Sequence, residues 1–101
     1  MPQQLSSTCL RDRLKTREPE KFNVIMLNDD YTTMDFVVKV LMTVFFKTRT
    51  EAEQLMLKVH HAGHAVVGTY PYDIALSKIE KVKAMAKAEH FPLELELQPA
   101  E

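Results

Sequence analysis

A compact α/β sandwich of the α+β kind, with a three-stranded antiparallel sheet packed against three helices, is the fold this chain predicts. Two observations lead there. Three short segments carry strand signals, and three longer ones carry apolar residues at helical spacing. Their order is strand, helix, helix, strand, helix, strand, which gives two layers able to bury each other's apolar faces. The 101 residues suffice for one domain with a modest core.

Phe22-Asn23-Val24-Ile25-Met26-Leu27 is short, apolar and bounded by turn residues, so it reads as a strand rather than a helix. Thr32-x-x-Asp35 then has capping-box character, with Asp in place of the usual Glu, and precedes a stripe of Phe36, Val37, Val40, Leu41, Val44 and Phe45. Thr50-x-x-Glu53 is a fuller capping box. It opens a second helix with Ala52, Leu55, Met56 and Val59 on one face, closed by Gly63. Ala65 to Tyr70 reads as the second strand. Pro71 suits the first turn of a third helix, whose buried face is predicted to hold Ile74, Ile79, Val82, Met85 and Ala86. Leu93, Leu95 and Leu97 alternate with Glu94, Glu96 and Gln98, the mark of a strand with one buried face between Pro92 and Pro99. Residues 1–20 hold three leucines among polar groups and two prolines, too little apolar surface to offset ordering, and are expected to be a flexible N-terminal extension to a core of residues 21–101.

Composition excludes several classes. A net charge of −1 gives no basic field for phosphate contacts, so nucleic acid is not an expected partner. No stretch reaches membrane-spanning length and no signal peptide is expected, so no membrane partner is either. One cysteine, Cys9, allows no internal disulfide, and a reducing, cytoplasmic compartment is the default.

The chemistry concentrates where the first strand stops, at Asn28-Asp29-Asp30. A carboxylate beside an apolar wall is costly unless hydrogen-bonded or met by a cation. By pattern alone, local capping is the commoner use of such residues. The other use is as a receptor. His60 lies four residues beyond Met56, at the border of the second helix's apolar face, where it can share a rim with the junction. Asn, Asp and His around an apolar hollow match a free α-amino group, which offers three donors and a charge. Methionines 26, 34, 42, 56 and 85 read first as gap-filling core. A metal site is not expected: His60 and His61 point about 100° apart, and no Cys or spaced His pair completes a set with His64. Nor does any Ser or Cys nucleophile occupy a recognisable elbow. No catalysis and no cofactor are expected.

The run Asn28-Asp29-Asp30-Tyr31-Thr32-Thr33-Met34-Asp35-Phe36-Val37 closely resembles the signature of the ClpS family, small adaptors of a ring-shaped AAA+ unfoldase–protease. Gln54-Leu55-Met56-Leu57-Lys58-Val59-His60 followed by Gly63 resembles the family's second signature, Pro92-Leu93 fits the last strand, and the similarity runs from Phe22 to about Leu97. The resemblance implies an adaptor for proteins with destabilising bulky apolar N-terminal residues (Leu, Phe, Tyr or Trp), delivered to a Clp unfoldase of the ClpA type. It implies that Asn28, Asp30 and His60 bind the amino group and adjoining peptide bond. Met26, Leu27, Thr32, Met34, Val37, Met56, Val59 and Leu93 would line the cavity, Met34 as a gatekeeper against β-branched side chains. Asp29 is assigned to structure around the junction. Thr33 stands where the family commonly has Pro, and Val67 where Cys is common. Leu76 stands where an acidic residue is usual, near Asp73 and Lys78, on a surface resembling the family's unfoldase-docking face. The resemblance also implies a role for the N-terminal extension in delivery, a bacterial cytoplasm (plastids hold relatives), and a monomer. The competing expectation is a non-catalytic interaction domain of the same fold with a different protein partner.

Overall fold

The spine of the protein is a central strand flanked on both sides, seen in a computed structural model that describes residues 20–100. But for Glu20, the expected N-terminal extension lies outside these residues. β1 (Lys21–Leu27) pairs antiparallel with β2 (His64–Pro71) on one side and β3 (Glu94–Pro99) on the other. Helices α1 (Met34–Thr43) and α2 (Arg49–Ala62) form an antiparallel hairpin, while α3 (Tyr72–Ala88) packs across all three strands. Three helices over one antiparallel sheet is the predicted architecture.

Alternation along β1 decides what is core. Val24 and Met26 are fully buried and join Phe36, Val40, Leu41, Val67, Ile79, Val82 and Leu95 in one cluster. Ile25 faces the other way, paired with Val66 and Glu96. In β2 the pairing steps from Val24–Gly68 to Ile25–Val66, so Val67 is an extra, bulged residue. The bulge resets the alternation, so that Ala65 and Val67 itself are buried and Tyr70, three residues beyond Val67 rather than two, packs against the same core. Tyr70 lies across Gly68, where a Cβ would sit against the phenol ring.

Several local expectations are corrected. Thr33, not Thr32, caps α1, its hydroxyl accepting from the Phe36 N–H at 3.2 Å. Thr32 is displaced from that task because its own hydroxyl and N–H are taken by Asp29. The capping box of α2 is Thr48 with Glu51, not Thr50 with Glu53. The helix therefore begins one residue earlier than Thr50, and both Thr50 and Glu53 are exposed. Phe45 is buried beyond the end of α1, since Val44 is the C-cap and Phe46 turns the chain at φ 54°. The buried stripe of α3 is Ala75, Ile79, Val82 and Ala86. Ile74 is one position out of phase, about 100° around the helix, and stays 48% exposed. Pro71 ends β2 and stands as the N-cap of α3, not within its first turn.

The hairpin positions the site. Gly63 closes α2 in the left-handed region at φ 90°, its N–H donating to the Val59 carbonyl. The Gly63 carbonyl in turn accepts from the Asn28 N–H at 2.9 Å. One bond thus pins the exit of β1 to the end of α2.

Candidate functional site

Where β1 ends, the chain crosses to α1 through residues 28–33 and leaves a hollow of about 400 Å³ between this loop and the helical hairpin. The loop lines one wall through Asn28, Asp29, Asp30, Tyr31, Thr32 and Thr33. The first turn of α1 contributes Met34 and Val37, and the last turns of α2 contribute Met56, Val59 and His60. The floor is apolar and buried at Val37 and Val59, while Asn28, Asp30 and His60 are exposed. Met34 stands at the mouth, 45% exposed.

The loop holds its shape through Asp29. One carboxylate oxygen, Oδ1, accepts from the N–H groups of Tyr31 at 2.8 Å and Thr32 at 2.7 Å, and Oδ2 accepts from the Thr32 hydroxyl at 2.7 Å. This is an Asx turn extended by a side-chain bond. Partial burial pushes the Asp29 carboxyl up, and the bonds from Thr32 and Tyr31 outweigh that, leaving it below its ordinary value of 3.8. Asp30, by contrast, makes no hydrogen bond among the described residues and keeps its carboxylate oxygens open to a ligand.

The sign of the site follows from these groups. Among the described residues, two carboxylates and no Lys or Arg line the hollow. The amino end of α1 and the carboxyl end of α2 meet at the same rim, and their opposite partial charges offset one another. The carboxylates therefore decide: a cation is attracted, and an anion is not. Beside the charge lie oxygen acceptors, an amide, an imidazole and an apolar floor. Such a set suits a ligand with a charged amine at one end and an apolar group at the other. Among the described residues, no group of three or more His, Cys, Asp or Glu is placed to hold a metal ion.

The structure brings Asn28, Asp30, Thr32, Met34, Val37, Met56, Val59 and His60 to this hollow. Three of the predicted lining residues are elsewhere. Met26 and Leu93 belong to the buried core cluster, and Leu27, on the sheet face opposite Met26, borders a second hollow with Pro92 and Glu94. Met26 and Leu93 are covered by the core, and Leu27, the neighbour of Met26 on β1, points to the opposite face. Tyr31, 77% exposed, lines both hollows and was not legible as a site residue, because an exposed aromatic in a loop has no periodic signal.

Away from the hollow, Asp73 is exposed in the first turn of α3. The Lys78 ammonium donates to the Val44 carbonyl at 2.7 Å and sits 4.7 Å from the centre of the Phe46 ring and 5.1 Å from that of Tyr70. It serves as a remote cap for α1, whose last turn contains no basic residue. Burial, and then the nearby Lys81, lower its pKa.

With this geometry in place, the matches to known proteins fix the class: an adaptor of a protease, not an enzyme. The model of the family described as "ATP-dependent Clp protease adaptor protein ClpS" matches residues 17–96. The chain is 54% identical over 83 residues to the ATP-dependent Clp protease adapter protein ClpS of Acetivibrio thermocellus, covering 82% of this chain and 84% of that protein. To the ClpS of Wolinella succinogenes it is 51% identical over 86 residues, 85% of this chain and 84% of the other. A solved structure of Agrobacterium tumefaciens ClpS2 bound to L-phenylalaninamide superposes with a TM-score of 0.79 at 35% identity, covering 82% of this chain and all of that one. The chain belongs to the ClpS family. Among the described residues no helix is long and apolar enough to cross a membrane.

Proposed function

We propose that the hollow captures the first residue of a substrate protein, with a bulky apolar side chain on the apolar floor and the free α-ammonium among Asn28, Asp30 and His60. The observation that carries this reading is the pairing, in one hollow, of an exposed Asp30 carboxylate with the apolar walls of Val37, Met56 and Val59. It is supported by the relative bound to L-phenylalaninamide, a molecule that combines a free amine with an aromatic side chain. Burying a Leu or Phe side chain contributes roughly 1.5–3 kcal/mol. A charge-assisted hydrogen bond adds about as much again. After the cost of association the sum suits reversible carriage and release.

In this reading the protein hands substrates with N-terminal Leu, Phe, Tyr or Trp to a Clp unfoldase of the ClpA type, as a monomer in a bacterial cytoplasm. Residues 1–20 serve the handover as an extension to the core of residues 21–101, and Asp73 and Lys78 mark the docking face on α3. Met26 and Leu93 belong to the same core cluster as the lining residues Val37 and Val59, and Leu27 faces the neighbouring hollow.

The test is fluorescence anisotropy with peptides that differ only in their first residue. Phe and Leu are expected to bind, and Val and Ile to be excluded, because a branched Cβ meets the Met34 side chain at the mouth. Met34→Ala is expected to admit Ile and Val, raising their affinity by roughly five-fold as the obstructing bulk is removed. A variant that retains the original selectivity removes Met34 from the gatekeeper role.

A further inference from the structure

A second depression continues from the first. It runs between α1 and α2, encloses about 390 Å³, and shares Met56 with the hollow described above. Its apolar surface is Val38, Met42 and Met56, the first buried and the two methionines half-buried. Around these stand Asp35 and Glu53 with Lys39 and Arg49, two charges of each sign. The balance gives no preference for a charged guest, so any selection is by apolar shape.

The geometry points to this groove as the seat for the third residue of the same bound chain, an apolar side chain such as Leu or Met. The inference rests on the first-residue reading above. Met34, Val38 and Met42 follow one another at intervals of four along one face of α1, about 6 Å per step. An extended peptide repeats its side-chain direction every two residues, about 6.6 Å. The two repeats nearly coincide. When the first side chain points into the hollow beside Met34, the second points away and the third returns to the protein one helical step farther, level with Val38. Met56, common to both depressions, makes the path continuous. Two of the groove's apolar residues are methionines, whose flexible thioethers fit guests of different shape. This suits an adaptor that meets many substrates.

The experiment is a leucine scan on a Phe-Gly-Gly-Gly-Gly peptide, read by competition against a labelled Phe peptide. Leu at the third position is expected to tighten binding about five-fold over the all-Gly chain, with no gain at the second or fourth. In Val38→Thr and Met42→Gln, two near-isosteric changes, that gain is expected to vanish while binding of the all-Gly peptide is kept. A flat scan, or a gain that both variants leave intact, overturns the groove assignment. The all-Gly peptide and its N-acetylated form report separately on the first-residue site. If they bind differently while the scan is flat, only the groove assignment falls; if they bind alike, the first-residue reading falls.

Discussion

Asp30→Asn is expected to weaken binding of a free-amine Phe peptide by about 10- to 100-fold, the equivalent of one charge-assisted hydrogen bond. Thermal stability should move by no more than about 0.5 kcal/mol, because an exposed side chain without a hydrogen-bond partner among the described residues has little to lose. The asymmetry distinguishes a ligand-binding carboxylate from a structural one. Asn keeps the shape and an acceptor oxygen but removes the charge, so the loss reports on attraction to the ammonium. Screening gives a second readout. Since Asp30 is exposed, raising salt should weaken wild-type binding and affect the variant less. Equal affinities at low salt would show that Asp30 does not face the ligand's charge.

Asp29→Ala is expected to act the other way round, through structure. It removes the three hydrogen bonds that the Asp29 carboxylate accepts within the loop and frees Thr32 from its fixed position. The cost to stability is about 1–3 kcal/mol for bonds to a charged acceptor at a partly exposed site. Affinity should fall by about ten-fold or more, because Asn28 and Asp30, which flank it, are no longer held at the rim. Asp29→Asn keeps one acceptor oxygen and should recover part of both losses.

The pH dependence follows from the same bonds. The Asp29 carboxyl titrates below its ordinary value of 3.8 in the folded protein. A depressed carboxylate adds stability in full above the unfolded value and loses it as pH falls through the folded one. The stability gap between wild type and Asp29→Ala should therefore stay constant from pH 7 down to about 5 and narrow progressively below that. Chemical denaturation of both proteins across this range measures it. A gap that closes near pH 6 would mean that a group other than this carboxylate holds the loop.

The elements were legible in the sequence because their apolar periods are clean. β1 is a bounded apolar run, β3 alternates strictly, and α1 and α2 carry their stripes at helical spacing. What escaped was phase. Thr32 and Thr33 are adjacent candidates for one cap, and only the turn made by Asp29 decides between them. Thr48/Glu51 and Thr50/Glu53 are overlapping boxes of the same form, and the choice depends on how the chain leaves Phe46 in a left-handed conformation. The bulge at Val67 left no mark, since Ala65-Val66-Val67 is apolar throughout. Around the hollow, helical spacing placed His60 at a rim with the Asn28–Asp30 junction, whereas Thr32, Met34, Val37, Met56 and Val59 were expected there from the family resemblance, and the strand residues were not separated into faces. Met26 and Leu27 are adjacent and take opposite faces of β1, Met26 into the core and Leu27 to the neighbouring hollow. The groove beyond Met56 was hidden for a different reason: Val38, Met42 and Met56 have ordinary core spacing, and only the packed hairpin leaves the two methionines half-covered above a buried Val38.

The most direct measurement is a calorimetric titration of this protein with L-phenylalaninamide and with its N-acetylated form. The two share a side chain and an amide and differ in one charge. The free amine should bind and the acetylated molecule should bind at least about 30-fold more weakly, having lost its ammonium and left Asp30 without a partner. Equal heats and equal affinities for the two would contradict an ammonium site at Asn28, Asp30 and His60.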